Sequence, residues 1–295
     1  MAEDSDPFDS AFLARLEYLR IVSRRLVAGT GAGRRRGRRT GPGLEFAEHR
    51  QYVPGDDFRH IDWAAFGRLE RLLLRLCRQE EDLGIDFLLD ASASMATGET
   101  PKFDHARRLT AALAYVGLAN LDRVRVFAVG AGLRTHLEAG RDRANVLGVL
   151  DFLRGLSAEG KTDLARSVQG YLAHALRPGL AVVVTDLMDP GGYARPLALL
   201  AGRGHEPWCL HVTDPADLAP PGTGDVAVAD AETGETLGIH LTAEVRERLR
   251  AEAERFAAEA RAWCLGRGIG YAEAPTRTPA DAMVLDVLRR GGLVR

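Results

Sequence analysis

Residues 85–94 have the sequence IDFLLDASAS, and this segment indicates the fold of the chain more clearly than any other. Its first five residues are mostly apolar and predict a β-strand, and the polar residues Asp90, Ser92 and Ser94 follow at alternate positions. One carboxylate and two hydroxyl groups at the end of a strand suit a hard divalent cation. The same three side chains equally suit a turn in which they cap the following segment. Spacing alone leaves both interpretations open.

Outward from this stretch, short apolar runs alternate with amphipathic segments of helical length. Further strands are predicted at residues 124–129, 181–185 and 208–212, and helices at residues 103–121, 143–156, 164–176 and 193–202. This alternation is typical of α/β proteins. It predicts a doubly wound, mostly parallel sheet that is flanked by helices on both faces.

The predicted topology brings more polar residues to Asp90. In an open sheet of strand order 3-2-1-4-5 the first and fourth strands are neighbours, and ligands bind where the order reverses. The strand at 181–185 leads into Asp186, so both carboxylates are expected at one edge of the sheet. Residues 160–163 open a helix on the same side and add the hydroxyl group of Thr162. The sequence therefore predicts one site with five residues that carry oxygen ligands.

The regions on either side of the sheet have different patterns. Residues 7–27 predict an amphipathic helix, and residues 31–43, rich in Gly and Arg, predict a loop. We divide the chain into an N-terminal region of helix and irregular or β structure, residues 1–83, and an α/β domain, residues 84–295. The second part carries a hairpin insertion at about residues 214–241 and ends with a helix, a strand and a last helix.

The five candidate ligands resemble the metal-ion-dependent adhesion site (MIDAS) of von Willebrand factor type A domains, and residues 85–212 are covered by the resemblance. It implies that Ser92, Ser94 and Thr162 bind Mg²⁺ directly, while Asp90 and Asp186 act largely through water. It also implies that a partner's carboxylate completes the coordination. Mg²⁺ suits such a site because it demands octahedral oxygen ligands and gives up its waters reluctantly. Mn²⁺ and Ca²⁺ are the alternatives.

A second stretch, EFAEHRQYVPGDDFRHIDW at residues 45–63, is similar to the signature of the family called domain of unknown function 58. Members of that family carry the signature before a von Willebrand type A-like domain. They are typically encoded beside MoxR-type AAA+ ATPases and are thought to act as their chaperone-like or adaptor partners. The resemblance therefore implies a protein-interaction module, not an enzyme, with such an ATPase as partner. For the acids and arginines of the signature itself we favour a structural role as ion pairs.

Two motifs favour other functions. Residues 155–162, GLSAEGKT, match the P-loop of ATP hydrolases, with Lys161 and Thr162 as the phosphate and Mg²⁺ ligands. A P-loop needs a strand before its first glycine, however, and the apolar spacing of residues 146–153 predicts a helix there. The arginines between Arg34 and Arg39 could bind the phosphates of a nucleic acid. We favour a solvated loop over nucleic-acid binding for this segment, because a charge run is more often solvated.

Composition excludes several classes of protein. The chain has 39 Lys and Arg against 41 Asp and Glu, so its formal charge of -2 gives no overall attraction to nucleic acid or to an anionic membrane. Cys77, Cys209 and Cys264 lie far apart without C-x-x-C spacing, which indicates reduced core residues. No apolar window approaches the length that spans a bilayer, and the acidic N-terminus does not resemble a signal peptide. We therefore expect a cytoplasmic protein.

Overall fold

The protein is represented by a computed structural model that describes residues 6–29, 40–41, 45–53, 56–78, 84–98, 101–174, 177–218 and 222–289. The arginine cluster proposed for nucleic-acid binding, residues 34–39, lies outside these ranges. The predicted division of the chain after residue 83 stays a prediction.

The N-terminal region contains two helices and a small antiparallel sheet of order β1-β3-β2. The elements are α1 (Ser10–Gly29), β1 (Thr40–Gly41), β2 (Glu45–Gln51), α2 (Trp63–Leu69) and β3 (Leu73–Arg78). Asp62 caps α2, since its carboxylate accepts the N–H group of Ala65 at 2.9 Å. Asp56 accepts a hydrogen bond from Arg50 at 2.7 Å. Ion pairs therefore do hold part of the signature stretch together.

The rest of the described chain forms a six-stranded sheet and a separate hairpin. The strands are β4 (Ile85–Asp90), β5 (Val124–Val129), β6 (Leu133–Gly140), β7 (Leu180–Thr185), β8 (Glu206–Thr213), β9 (Gly224–Ala229), β10 (Thr236–Leu241) and β11 (Gly270–Pro275). The large sheet has the order β11-β8-β7-β4-β5-β6, and every pair in it is parallel except β5 with β6. The fold is thus α/β with a mixed sheet. The pairing of β4 with β7 confirms the prediction that the strand before Asp90 and the strand before Asp186 are neighbours.

Strand β6 is missing from the sequence prediction. It lies at the edge of the sheet, antiparallel to β5, and most of its side chains are exposed or half-buried. An edge strand with a solvated face carries few apolar residues, so it lacks the continuous apolar run that marks a buried parallel strand. The predicted hairpin insertion is present as β9 and β10, which pair in register from Ala229 with Thr236 to Gly224 with Leu241.

Helices cover both faces of the sheet. They are α3 (Lys102–Ala119), α4 (Val146–Arg154), α5 (Leu164–His174), α6 (Ala194–Gly202), α7 (Pro215–Leu218), α8 (Ala243–Leu265) and α9 (Ala280–Arg289). Phe87 and Leu89 of β4 pack in the core beneath α1, α3, α4 and α9, whereas Leu88 packs in the opposite core beneath α5, α6 and α8. Burial on both faces explains why β4, β5 and β7 are mostly apolar, although β4 carries Asp86 and Asp90 and β5 carries Arg125.

Helix α1 packs on the α/β domain through one face. Phe8, Phe12, Leu16 and Leu19 are buried at helical spacing in the core that also contains α3 and α9. The helix begins at Ser10, three residues later than the sequence pattern predicted, because the carboxylate of Asp9 accepts the N–H group of Phe12 at 2.6 Å.

Two further expectations concern the cysteines and membrane-spanning helices. Cys209 and Cys264 are free thiols buried in the core, as predicted. Within the described ranges, no helix combines the length and the apolar character that crossing a membrane requires.

Candidate functional site

The predicted ligand residues lie at the carboxyl edge of the large sheet, where β4 and β7 end side by side. Asp90 is the last residue of β4, and Asp186 directly follows β7. Backbone hydrogen bonds of 2.9 Å join residues 91–93 to residues 159–160. Because of this pairing, the loop before α5 brings Thr162 to Asp90.

The carboxylate of Asp90 is wholly buried and is surrounded by neutral hydrogen-bond donors. Its Oδ1 accepts the N–H group of Ser92 at 3.0 Å and the hydroxyl group of Thr162 at 3.1 Å. Its Oδ2 accepts the hydroxyl group of Thr185 at 2.7 Å. Thr185 is the last residue of β7 and was not among the predicted ligands. Thr162, which the sequence placed here only through topology, is in direct contact with Asp90.

The two serines point their hydroxyl groups at each other. Ser92 Oγ and Ser94 Oγ lie 3.0 Å apart, and Ser92 is fully buried. Ser92 stands at the start of a short 3₁₀ helix, Ala93–Ala96, but its side chain makes no capping bond to that helix. The capping interpretation therefore does not account for the Ser92 hydroxyl. Two neighbouring ligands of one Mg²⁺ ion are also about 3 Å apart when each is 2.0–2.1 Å from the metal.

The charge of Asp90 is not balanced by a nearby cation. Burial and, after it, the negative charge of Asp186 raise the pKa of Asp90 to about 6, against hydrogen bonds from Thr185 and Ser92 that lower it. In the described part of the chain, Asp90 forms no ion pair with a Lys or Arg side chain. A buried carboxylate in this state favours the arrival of a positive charge.

Asp186 lies on the other side of the cluster and has a cation of its own. Lys102 Nζ donates to Asp186 Oδ2 at 2.8 Å and forms an ion pair with Asp217 Oδ2 at 2.9 Å. The second oxygen of Asp186 accepts the N–H group of Met188 at 3.1 Å. Asp186 is thus near enough to affect the pKa of Asp90, but both of its oxygens already have donors.

Lys102 was not singled out in the sequence, although one signal was available. It is the first residue of α3 and only 2% exposed. Burial lowers the pKa of Lys102, but the charges of Asp186 and Asp217 outweigh burial and leave this pKa raised, so the ammonium group stays charged. A lysine at the start of a helix opposes the helix dipole. That misplaced charge is a sequence signal for nearby acids.

The β9–β10 hairpin supplies a further acid that the sequence analysis did not assign. Glu232, in the turn between the two strands, accepts the N–H group of Thr162 on its Oε2 at 3.0 Å. Its Oε1 is buried and has no hydrogen-bond partner among the described residues. The cluster therefore contains residues from four separate loops, namely those after β4, before α5, after β7 and between β9 and β10.

The P-loop motif does not have the structural context of a P-loop. Helix α4 precedes Gly155, where a P-loop requires a strand, and this confirms the predicted helix. The N–H group of Thr162, which in a P-loop would face a phosphate, is bonded to the Glu232 carboxylate. The geometry thus favours the assignment of Thr162 to the Asp90 cluster.

The donor set also decides which metals the cluster suits. Over the described residues, no group of three or more His, Cys, Asp or Glu side chains is placed to hold a metal ion. The candidate cluster instead offers the hydroxyl oxygens of Ser92, Ser94 and Thr162 beside the carboxylate of Asp90. Oxygen-only ligands of this kind suit Mg²⁺, Mn²⁺ or Ca²⁺ better than zinc, which prefers nitrogen and sulfur.

Two solved structures from Bacteroides are similar to parts of this chain. One is described as the conserved hypothetical protein BatB from Bacteroides thetaiotaomicron; it has 15% sequence identity and a TM-score of 0.43, and the match covers 70% of this chain and 98% of that chain. The other is described as an aerotolerance-related membrane protein from Bacteroides fragilis, with 15% identity, a TM-score of 0.44 and coverage of 70% and 99%.

Sequence comparison gives closer relatives. The chain is 29% identical over 287 residues to the uncharacterized protein Rv1480 of Mycobacterium tuberculosis and to an uncharacterized protein of Mycobacterium bovis, and the match covers 95% of this chain and 89% of each relative. A family model described as Protein of unknown function DUF58 matches residues 48–261, which include most of the described structure and the whole Asp90 cluster. The chain therefore belongs to the DUF58 family, as the signature at residues 45–63 predicted.

Proposed function

We propose that this chain is a metal-ion-dependent protein-interaction module with a von Willebrand factor type A-like domain. In this proposal Ser92, Ser94 and Thr162 hold a Mg²⁺ ion beside Asp90. Asp186, which is paired with Lys102, adds negative charge near the ion. The bound ion supplies a Lewis-acidic position for an Asp or Glu side chain of a partner protein. The chain itself performs no reaction; it binds.

The observation that carries the proposal is the unbalanced charge of Asp90. Four buried or half-buried oxygen-bearing side chains converge there, and within the described ranges the carboxylate contacts only neutral donors. Burying a carboxylate without a counter-charge is unfavourable by about 2–5 kcal/mol, unless the group changes its protonation state or gains a cation. A structural role alone would be served as well by an uncharged residue at position 90.

The orphaned oxygen of Glu232 supports the same proposal from a second direction. Its Oε1 is buried without a hydrogen-bond partner among the described residues, which costs roughly 1–3 kcal/mol if nothing else binds there. A cation at the Thr162 side of the cluster would satisfy this oxygen. Hydroxyl and carboxylate ligands together match what Mg²⁺ takes from proteins.

The proposed partner is a MoxR-type AAA+ ATPase, for which this chain would be an adaptor or a chaperone-like partner. Membership of the DUF58 family supports this partner through the association that the family resemblance implies. The arrangement of parallel strands with the cluster at their carboxyl edge is compatible with a type A-like domain, in which such an edge receives a ligand.

Affinity capture tests the proposal. The full chain is immobilised, and a MoxR-type ATPase from the same genome is passed over it in Mg²⁺ and in EDTA. We expect capture in Mg²⁺, loss of capture in EDTA, and loss of capture with Asp90→Ala. The matched control is Asp151→Ala, which removes an exposed carboxylate on α4 and should leave capture unchanged.

Circular dichroism and urea unfolding establish that the Asp90→Ala chain is folded before it is used. Capture that is indifferent to both EDTA and Asp90→Ala would contradict the metal-bridged mechanism.

A further inference from the structure

The turn between β9 and β10 is a fixed structure, not a loose loop end. Asp230 Oδ1 accepts the N–H groups of Glu232 and Thr233, each at 2.8 Å, and the Asp230 N–H group donates to the Glu235 carbonyl at 2.8 Å. These backbone hydrogen bonds, followed by the charge of Lys161, lower the pKa of Asp230. Asp230 thus remains ionised and holds the backbone of Glu232 in one conformation.

This fixed turn aims Glu232 at the Asp90 cluster. Glu232 is half-buried, although its neighbours in the turn are exposed. One carboxylate oxygen binds the N–H group of Thr162 at 3.0 Å, and the hydroxyl group of the same threonine binds Asp90 at 3.1 Å. The hairpin therefore brings a carboxylate into contact with Thr162, a proposed ligand of the ion.

The other oxygen, Oε1, distinguishes a ligand from a simple clamp. A clamp needs only the oxygen that binds Thr162, and it would leave Oε1 to solvent. Instead Oε1 is buried and lacks a hydrogen-bond partner within the described chain. A carboxylate oxygen in this state is unfavourable unless something positive or donating binds to it.

We infer that Glu232 is the chain's own acidic ligand at this site, and that the β9–β10 hairpin occupies the position that a partner's carboxylate would take. The inference rests on the proposed function, since it assigns an occupant to the open position of the proposed metal ion. Free chain holds its own acid at the ion. A partner Asp or Glu binds only by displacing Glu232, so the hairpin sets how readily partners bind.

Calorimetric titration of the full chain with Mg²⁺ tests the assignment. Glu232→Gln keeps the size and an oxygen for the Thr162 N–H group but removes the charge. We expect it to weaken Mg²⁺ binding by roughly tenfold or more, the effect usual for groups that support a metal site. The matched control is Glu235→Gln, an exposed residue of the same hairpin, which should change the affinity less than about twofold.

The outcomes separate this inference from the proposed function. If wild type and Glu235→Gln bind Mg²⁺, Asp90→Asn does not, and Glu232→Gln binds as wild type does, the internal-ligand assignment is wrong and the proposed function stands. If wild type shows no saturable Mg²⁺ binding, both are wrong.

Competition is tested with a carboxylate probe at saturating Mg²⁺. The peptide acetyl-Gly-Glu-Gly-amide should bind the Glu232→Gln chain more tightly than wild type, because a neutral amide competes less well for the ion than a carboxylate does. Equal binding to the two chains would overturn the displacement step.

Discussion

Two aspartates of one strand, four residues apart, have opposite electrostatic environments. Asp86 and Asp90 both lie on β4 and both are 0% exposed. Arg125 binds both oxygens of Asp86, with Nε to Oδ1 at 2.7 Å and Nη2 to Oδ2 at 2.6 Å, and the Tyr171 hydroxyl adds a third bond at 2.7 Å. Among the described residues, Asp90 receives only hydroxyl and amide donors.

The difference separates an acid whose charge is neutralised within the protein from one whose charge is not. Asp86 accepts three hydrogen bonds, and the guanidinium group of Arg125 neutralises its charge. A bound cation is therefore not needed to stabilise this carboxylate. Asp90 sits at the strand's end with its charge uncompensated and its pKa raised to about 6 by burial and by Asp186. Burial alone therefore does not distinguish the two carboxylates; the presence or absence of a paired cation within the described chain does.

The largest effect should come from breaking the buried ion pair between Asp86 and Arg125. Arg125→Met removes the guanidinium and leaves Asp86 as a buried charge without a counter-ion. We expect the free energy of unfolding to fall by about 3–5 kcal/mol, as is usual when one partner of a buried ion pair is removed. Urea denaturation followed by circular dichroism measures this loss.

The control for that prediction is Arg248→Met, which breaks an exposed pair with Glu244 on α8. It should change the free energy of unfolding by less than about 0.5 kcal/mol. A loss in Arg125→Met no greater than in this control would mean that Asp86 does not depend on Arg125.

The second effect concerns Lys102, the cation that is paired with Asp186. Lys102→Met should destabilise the chain by about 2–3 kcal/mol, less than Arg125→Met, because Lys102 donates one hydrogen bond to Asp186 whereas Arg125 donates two to Asp86. Since the variant leaves Asp186 without its ammonium partner, Mg²⁺ should bind more tightly and restore part of the lost stability. Unfolding curves with and without Mg²⁺ measure both changes. Weaker Mg²⁺ binding in Lys102→Met would show that the lysine supports the site and does not compete with the ion.

The third effect has the opposite sign. In EDTA at pH 8, Asp90→Asn removes an uncompensated buried charge, and the free energy of unfolding should rise by about 1–2 kcal/mol. The pKa of Asp90 in the folded chain, about 6, lies above its usual 3.8, so its contribution to stability is fully present below pH 3.8 and is lost as the pH rises through 6. Wild type should therefore gain stability between pH 6 and pH 4 relative to the variant. Equal pH profiles for the two chains would contradict the raised pKa.

The smallest effect lies at the margin of the Asp86 cluster. Burial lowers the pKa of His205, whose Nδ1 accepts the N–H group of Gly179 at 3.3 Å. Because its folded pKa is below the usual 6.5, His205 contributes stability that is present above pH 6.5 and lost as the pH falls through the folded pKa. His205→Gln should reduce the acid sensitivity of unfolding between pH 7.5 and pH 5.5, whereas His240→Gln, at an exposed position, should not. A wild-type acid response in His205→Gln would show that His205 does not cause the acid sensitivity of unfolding.

Much of this comparison could be predicted from the sequence because the central strands are buried on both faces. That burial makes β4, β5 and β7 readable as apolar runs, and their shared direction places Asp90 and Asp186 at one edge. The exposed edge strand β6 has no such run and was missed. Asp86 itself gave no signal, since its partner Arg125 lies on the neighbouring strand and only the register of β4 with β5 brings them together.

The positions of the candidate site residues could be predicted only where the strand order and the chain sequence alone determine them. Ser92 and Ser94 follow Asp90 in sequence, and Thr162 was placed by the loop that opens a predicted helix. Lys102 and Glu232 reach the cluster through long side chains from α3 and from the hairpin, so their contacts depend on packing that periodicity does not encode. They are also the residues that most change the interpretation, because one supplies a cation and the other an acid.

The most direct test of the central claim is to locate the metal itself. Crystals of the full chain are grown in Mn²⁺, which takes the same oxygen ligands as Mg²⁺, and the anomalous signal of manganese is mapped. We predict a peak at about 2.1–2.2 Å from Ser92 Oγ and Ser94 Oγ beside Asp90, with no peak at Asp86. A map with no manganese at the Asp90 cluster, at a concentration that occupies sites elsewhere on the protein, would contradict the claim that Asp90 is a binding acid.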